Sequence, residues 1–120
     1  MFLTDTTAIY PVMKAVHTEV VAKEGSNVTL TCHGRNVEII DTRIIWKFND
    51  HEIQGNTNKE KIEKFLAKKR GKFSLYIKNV SENDVGNYTC LAKVSAGRSK
   101  TDDDEDYVEL SLDKNCELLL

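Results

Sequence analysis

The sequence contains few of the residues that mark linkers and fibrous proteins, with one proline and six glycines among 120 residues. This composition excludes a collagen-like chain and a proline- or glycine-rich linker. No apolar run approaches the roughly 20 residues that a membrane-spanning helix needs. The hydrophobic fraction of 40% and the charged fraction of 30% instead predict one soluble globular domain.

A strong excess of charge of either sign is also absent, because 17 basic and 19 acidic side chains give a net charge of −2. Since nucleic-acid-binding domains are usually strongly basic, we expect no nucleic-acid partner. The charges are nevertheless segregated along the chain. Residues 59–78 carry eight basic and two acidic residues, a local charge of +6, whereas residues 102–109 carry six acidic residues and no basic one.

Patterns typical of catalysis and metal binding are missing as well. The histidines are scattered, and no Cys-x-x-Cys or His-x-x-x-His spacing occurs. Neither a nucleophile elbow nor a phosphate-binding loop is present. The acidic run at residues 102–106 lacks the ligand spacing and the glycine of an EF-hand loop, which favours a solvated acidic loop over a calcium site. We therefore expect no enzymatic activity, no cofactor and no metal, and a function carried by surfaces.

The two ends of the sequence lack targeting signals. The N-terminal residues have neither the basic region nor the apolar core of a signal peptide, which indicates either an intracellular protein or a chain that begins inside a longer one. We expect residues 1–13 to be an extension, residues 14–113 one domain, and residues 114–120 a linker within a membrane-anchored or multidomain protein. Cys116 falls in this linker, and its role is open.

Alternation of apolar and polar residues predicts an all-β fold. Val28, Leu30 and Cys32 share one face of a predicted strand, and the same period recurs along the chain. Strands spaced roughly 8–12 residues apart are typical of a β-sandwich or barrel. A helix-like spacing within residues 58–69 leaves a single helical turn there as the alternative to a strand. The other predicted strands are 44–48, 72–78, 88–92 and 108–112, with weaker signals at 15–22, 51–54 and 62–66.

Four elements of the sequence follow one another in a recognisable order. Cys32 precedes Trp46 by 14 residues, and Cys90 follows Cys32 by 58 residues. The second cysteine ends a D-x-G-x-Y-x-C run at residues 84–90. This run, with the upstream cysteine and tryptophan, resembles the immunoglobulin superfamily over residues 15–113. The resemblance implies an immunoglobulin-like two-sheet Greek-key sandwich.

The resemblance also implies a role for each of these residues. Cys32 and Cys90 would form a disulfide between the facing strands B and F, and Trp46 on strand C would cover it. Tyr88 would make a tyrosine corner, and Asp84 would pair with a basic residue of the other sheet. The implied structural core is Trp46, Tyr88, Asp84 and Leu75, and the candidate partners of Asp84 are Lys59, Lys61 and Lys64.

Two further features resemble one class within the superfamily. The 44 residues between Trp46 and Cys90 are few for a variable-type domain. No Gly-x-Gly motif opens the last strand, where the chain reads Asp106-Tyr107-Val108-Glu109-Leu110. Both features resemble the intermediate, or I-set, class that is common in adhesion molecules and receptors.

Three sequons for N-glycosylation favour a secreted or cell-surface protein, at Asn27, Asn79 and Asn87. The implied Cys32–Cys90 disulfide persists only in an oxidising compartment, which favours the same location. The alternative is an intracellular I-set domain of a muscle or cytoskeletal protein, in which both cysteines stay reduced.

The resemblance implies recognition of a protein partner through the sheet formed by strands G, F, C and C′. On this sheet Ile45, Leu91 and Tyr107 are expected to form an exposed apolar patch with a charged rim, which is the anatomy of a protein interface. The partner would be another protein or, in homophilic binding, a second copy of the domain. The expected partner-binding residues are Ile45, Lys47, Leu91, Lys93, Tyr107 and Glu109.

The segregated charges provide a second candidate site. In an immunoglobulin sandwich a basic turn between strands D and E would lie at the same end as an acidic F–G loop. The two could pair within the molecule, or favour self-association through a two-fold axis. The basic turn could also bind a polyanion such as heparan sulfate, as in a secreted ligand or matrix protein, although the acidic loop argues against this. The basic turn consists of Lys68, Lys69, Arg70 and Lys72.

Overall fold

The structure is a computed structural model that describes residues 10–54, 61–94 and 103–113. These residues form nine strands and two short 3-10 turns, at Lys68–Arg70 and Glu82–Asp84. The predicted all-β fold is therefore confirmed. The strands are β1 (Val12–Ala15), β2 (Glu19–Ala22), β3 (Val28–Arg35), β4 (Thr42–Phe48), β5 (His51–Glu52), β6 (Ile62–Ala67), β7 (Lys72–Ile77), β8 (Gly86–Val94) and β9 (Asp104–Leu112).

Two sheets pack face to face to form a sandwich. The first has the strand order β1-β3-β7-β6, and the second has the order β2-β9-β8-β4-β5. Neighbouring strands are antiparallel except for β2 and β9, which are parallel. In the lettering of the immunoglobulin fold these are the A-B-E-D and A′-G-F-C-C′ sheets, so the predicted I-set sandwich is confirmed. We name their outer surfaces the A-B-E-D face and the G-F-C-C′ face.

The N-terminal segment passes from one sheet to the other. β1 pairs with β3, and the Val16 amide makes the last bond to that strand, at 2.9 Å to the Thr31 carbonyl. The chain then crosses, and β2 runs parallel to β9. The alternating pattern at 15–22 predicts a single strand, because alternation alone does not show that the chain crosses from one sheet to the other. Met13 in β1 is 4% exposed, so the sandwich includes residues before position 14.

A disulfide joins the two sheets in the middle of the core. Cys32 on β3 and Cys90 on β8 are bonded, with their Cα atoms 6.6 Å apart. Trp46 lies directly opposite Cys90 in the β4–β8 ladder and is fully buried. Closing a loop of 58 residues in this way stabilises a fold by roughly 4 kcal/mol on chain-entropy grounds. The surrounding core comes from inward-facing residues of both sheets, including Leu30, Phe73, Leu75, Val108 and Leu110.

Asp84 connects the turn before β8 to the rest of the sandwich. Its carbonyl accepts a hydrogen bond from the Tyr88 hydroxyl at 2.6 Å, which is the tyrosine corner. Its carboxylate accepts the Ser81 amide at 2.9 Å and pairs with Lys61 Nζ at 2.8 Å. Lys61 is thus the partner of Asp84 among the candidate lysines. Burial of the phenol, with a smaller effect of the nearby Asp84 carboxylate, raises the pKa of Tyr88 well above its ordinary value.

Two lysines bridge the sheets on the side of strand D. Residues 62–67 form the edge strand β6 rather than a helical turn, and a single 3-10 turn follows. Lys64 of β6 donates to the Ile53 carbonyl at 3.0 Å. Lys68 of the 3-10 turn donates to the Thr42 carbonyl at 2.5 Å. Both ammonium groups therefore donate hydrogen bonds to backbone carbonyls on the C–C′ side of the other sheet.

Tyr88→Phe removes the hydroxyl that satisfies the buried Asp84 carbonyl. We expect the free energy of unfolding to fall by about 1–3 kcal/mol, because a buried acceptor is left without a partner. Urea denaturation followed by Trp46 fluorescence measures the change. Tyr107→Phe, which removes an exposed hydroxyl, is the control, with an expected change below about 0.5 kcal/mol. Equal losses in the two variants would contradict a structural role for the buried bond.

Candidate functional site

Outward-facing residues of β4, β8 and β9 form the G-F-C-C′ face. The ladders place Lys47 opposite Thr89, and Thr89 opposite Tyr107. Tyr107 is 48% exposed, whereas Thr89 is buried. Lys47 and Tyr107 therefore lie in one row across three strands, with a small buried side chain between them.

The prediction of an exposed apolar patch at Ile45 and Leu91 is wrong. Ile45 is 6% exposed and Leu91 is 9% exposed. They lie directly opposite each other on the central strands β4 and β8, among long charged residues whose methylene groups can cover apolar neighbours. Leu91 also lines a shallow pocket of about 420 Å³ that includes Lys47 and Glu105. The apolar layer is thus present beneath the charged residues and is not itself the surface.

Charge on the G-F-C-C′ face changes sign from strand C to strand G. Arg43 lies directly opposite Lys93, and Glu109 lies directly opposite Glu19 of β2. Like charges are therefore gathered on each side, although directly opposed like charges destabilise a sheet. The basic side consists of Arg43, Lys47 and Lys93, with one carboxylate, Glu52 of β5, directly opposite Lys47. The acidic side consists of Glu19, Glu105 and Glu109.

Tyr107 is held in place on the acidic side of this face. Its hydroxyl donates to Glu105 Oε2 at 2.8 Å. This hydrogen bond, together with the negative charge of Glu105, raises the pKa of Tyr107 above its ordinary value. The hydrogen bond thus directs the exposed Tyr107 hydroxyl toward strand G's own Glu105.

The acidic run does not form the solvated F–G loop that the sequence predicted. Residues 104–106 lie within β9, and Asp102 is outside the described residues. Asp103 precedes the strand, and its carboxylate accepts the Val94 amide at 2.7 Å. This part of the run is therefore bound to backbone rather than extended into solvent.

Two carboxylates of β9 complete the hydrogen bonding of the edge strand β1. Asp104 Oδ2 accepts the Met13 amide and Asp106 Oδ2 accepts the Ala15 amide, each at 2.7 Å. These amides point away from β3 and have no strand partner, so the carboxylates satisfy them. Sequence reasoning missed this role, because an unbroken run of acidic residues resembles a solvated segment. Positions 104, 106 and 108 lie on the same side of β9, and Val108 is an inward apolar residue. This alternation was the feature of the sequence that could have placed Asp104 and Asp106 inward.

Internal pairing between the basic turn and the acidic run does not occur within the described residues, where the ion pairs are Lys61–Asp84 and Lys78–Glu63. Lys68 instead donates to a backbone carbonyl. The three remaining basic residues of the turn, Lys69, Arg70 and Lys72, are exposed. The turn therefore keeps three of its four predicted cations at the surface.

The three sequons differ in accessibility. Asn27 and Asn79 are exposed neighbours, since the Asn79 amide donates to Asn27 Oδ1 at 3.0 Å. Asn87 is half-buried, and its Nδ2 donates to Glu109 Oε1 at 3.4 Å. Thr89, the hydroxyl residue of that sequon, is buried. Glycosylation stays a prediction at all three positions, with easier access at the first two.

The described ranges contain no metal-binding cluster of three or more His, Cys, Asp or Glu side chains. Nor does any helix in them have the length and apolar character needed to cross a membrane.

Comparison with known proteins identifies a family, and the proteins that resemble this chain include human contactin-6 and Rst D1-D2. The profile of the family described as "Immunoglobulin domain" matches residues 11–93. Human contactin-6 is 37% identical over 72 residues, which are 60% of this chain and 6% of contactin-6. The crystal structure of Rst D1-D2 matches with a TM-score of 0.65 over 83% of this chain and 48% of that chain, at 21% identity. At that identity the structural likeness shows the fold alone.

Removing the carboxylates of Asp104 and Asp106 together, by substitution with alanine, leaves two β1 amides without acceptors. We expect a loss of about 1–3 kcal/mol in unfolding free energy for each site. Amide hydrogen exchange at Met13 and Ala15 should accelerate with it. The double variant Glu105→Ala/Glu109→Ala removes the same charge from outward positions of β9 and should lose less than about 1 kcal/mol in total. Unchanged exchange at the β1 amides would contradict the assignment.

Proposed function

The chain belongs to the immunoglobulin domain family, and we propose that it is an extracellular recognition domain of a cell-surface adhesion or receptor protein. In this proposal it binds a protein partner through the G-F-C-C′ face. The observation that carries the proposal is the separation of charge on that face into a basic C side and an acidic G side. Gathering like charges costs the isolated domain stability, and a partner of complementary charge would offset that cost.

Tyr107 supplies the apolar part of the proposed contact. Tyrosine is enriched among the residues that dominate binding energy, and the hydroxyl of this one is bonded to Glu105. The pocket next to Leu91 is otherwise lined by charged residues and would receive a polar or charged side chain of a partner. The surrounding charges would steer association and set its orientation.

A second copy of the domain is the first partner to test. A two-fold axis parallel to the strands, lying between two such faces, sets strand C of one copy over strand G of the other. The basic side of each copy then meets the acidic side of its partner, and the contact occurs twice. Because Lys47 and Tyr107 occupy one row, the same operation brings the Lys47 ammonium of one copy over the Tyr107 ring of the other.

The disulfide supports an extracellular location. The Cys32–Cys90 bond would be reduced in the cytosol, where thiols are kept free. The exposed sequon asparagines Asn27 and Asn79 favour the same location. An intracellular muscle or cytoskeletal domain is the alternative, and it requires both cysteines to be thiols.

Binding through the G-F-C-C′ face predicts a strong dependence on its charge and on its aromatic ring. The domain fused to a dimeric Fc is tested against itself and against an array of cell-surface ectodomains. For the partner found, we expect Lys47→Glu/Lys93→Glu and Tyr107→Ala each to weaken binding at least about ten-fold. The matched control is Lys14→Glu/Lys72→Glu, which changes the same charge on the opposite sheet and should leave binding within about two-fold. Equal effects of both charge reversals would contradict this surface.

The redox state of the cysteines separates the extracellular proposal from its intracellular alternative. Protein isolated from its native source, with free thiols trapped at lysis, should contain Cys32 linked to Cys90. Peptide mass analysis with and without reduction detects that link. Trapped thiols at both positions would rule out the extracellular location.

A further inference from the structure

Three basic residues form a row across the A-B-E-D face. Lys14 of β1 lies directly opposite His33 of β3, and His33 lies directly opposite Lys72 of β7. All three side chains are exposed. Neighbouring strands are about 4.8 Å apart, so the row places three basic groups within about 10 Å. Neither Lys14 nor His33 belongs to the basic segment that the sequence marked, and only the ladder brings them beside Lys72.

More cations flank this row at the end of the sandwich. Arg35 is the next outward residue of β3 and is exposed, as are Lys69 and Arg70 of the D–E turn. The turn is held against β3 because the Gly34 amide donates to the Gly71 carbonyl at 2.7 Å. Gly71 has a φ of 64°, and a Cβ atom there would collide with the Gly34 carbonyl, so this close approach requires glycine.

The basic side chains of this row and of its flanking residues are not neutralised by acidic side chains of the described residues. Within the described part of the chain, none of Lys14, His33, Arg35, Lys69, Arg70 and Lys72 forms an ion pair. Asp104 and Asp106 of the other sheet accept hydrogen bonds from the β1 amides at the edge of β1 that faces away from β3. The cations Lys14, Lys72, Arg35, Lys69 and Arg70 are thus gathered at one end of this face, without an acidic side chain paired to them among the described residues. The arrangement therefore calls for an anionic ligand that spans several strands.

A shallow groove of about 570 Å³ begins at Lys72 and continues along the same face. Its lining includes the hydroxyls of Thr29 and Ser74 and the ring of Phe65, which is 53% exposed on the edge strand β6. Phe65 lies directly opposite Ser74. The Ser74 hydroxyl is buried and bonded to the Thr31 hydroxyl at 3.0 Å, whereas Thr29 is exposed. The Phe65 ring and the Thr29 hydroxyl suit the apolar C–H face and a hydroxyl group of a sugar ring.

We propose that the A-B-E-D face binds a linear sulfated polysaccharide. Its sulfate and carboxylate groups lie along the row Lys14–His33–Lys72 and on the D–E turn, and one sugar ring packs on Phe65 in the groove. A single-stranded nucleic acid fits less well, because its binding relies on several stacking aromatics and the domain is acidic overall. This inference requires the extracellular location proposed above, and it uses the face opposite to the one proposed for the protein partner, so both ligands can be bound together.

The test measures binding of the whole chain to a heparin dodecasaccharide by calorimetry, at about physiological ionic strength. We expect Lys14→Ala/Lys72→Ala to weaken the affinity about ten-fold or more and to flatten its dependence on salt concentration, because two ionic contacts are lost. The matched control, Lys47→Ala/Lys93→Ala, removes the same charge from the G-F-C-C′ face and should stay within about two-fold of wild type. Phe65→Ala should weaken dodecasaccharide binding several-fold.

Other probes decide between classes of ligand. De-sulfated heparin, single-stranded DNA of equal charge and phosphatidylserine vesicles should each bind more weakly than the dodecasaccharide. Phe65→Ala should not alter binding of the DNA or the vesicles, which have no sugar ring placed on Phe65. Absence of heparin binding, equal losses in the two double-lysine variants, or equal affinity for DNA or vesicles would each overturn the inference. Such a result would leave the binding of a protein partner intact, because that binding is measured with variants of the opposite face.

Discussion

The covalent link between Cys32 and Cys90 is the constraint on which both outer faces depend. It holds β3 and β8 together in the core, with Trp46 beside it. Because side chains alternate along a strand, fixing a cysteine inward fixes its sequence neighbours outward. His33 is thereby directed to the A-B-E-D face, and Leu91 to the G-F-C-C′ face. A slip of one residue in either strand would turn the outward residues of that strand inward, and the disulfide forbids it.

Charged residues of this domain divide into two groups according to strand parity. Those at inward positions, such as Lys64 and Asp106, donate to or accept from backbone groups across the sandwich. Those at outward positions, such as Lys47 and Lys72, are left for contacts with other molecules. The net charge of −2 is a sum over both groups of charged residues, so it gives the charge of neither group. Local hydrogen bonding, rather than the total, determines which charges a partner can meet.

The sequence was sufficient for the fold but only partly for the surfaces. The spacing of Cys32, Trp46 and Cys90, with the alternation of apolar residues, predicted the sandwich and its core correctly. Burial of Ile45 was not predictable from parity, which gives the direction of a side chain but not what covers it. The acidic strand was misplaced because composition indicates solvation, whereas the unpaired amides of β1 lie about ninety positions away along the chain. The row through Lys14 likewise arises only from the register between strands.

The β9 carboxylates that bind β1 and the lysine within β6 together affect how strands β1 and β6 could pair with other chains. These are the two edge strands of the A-B-E-D sheet. At one edge the Met13 and Ala15 amides are already occupied, so an incoming strand would have to displace Asp104 and Asp106. At the other edge an inward-directed ammonium, that of Lys64, would be trapped by an added strand. The A-B-E-D sheet thus resists lengthening by further chains at both of its edges, which is a protection against edge-to-edge aggregation through this sheet.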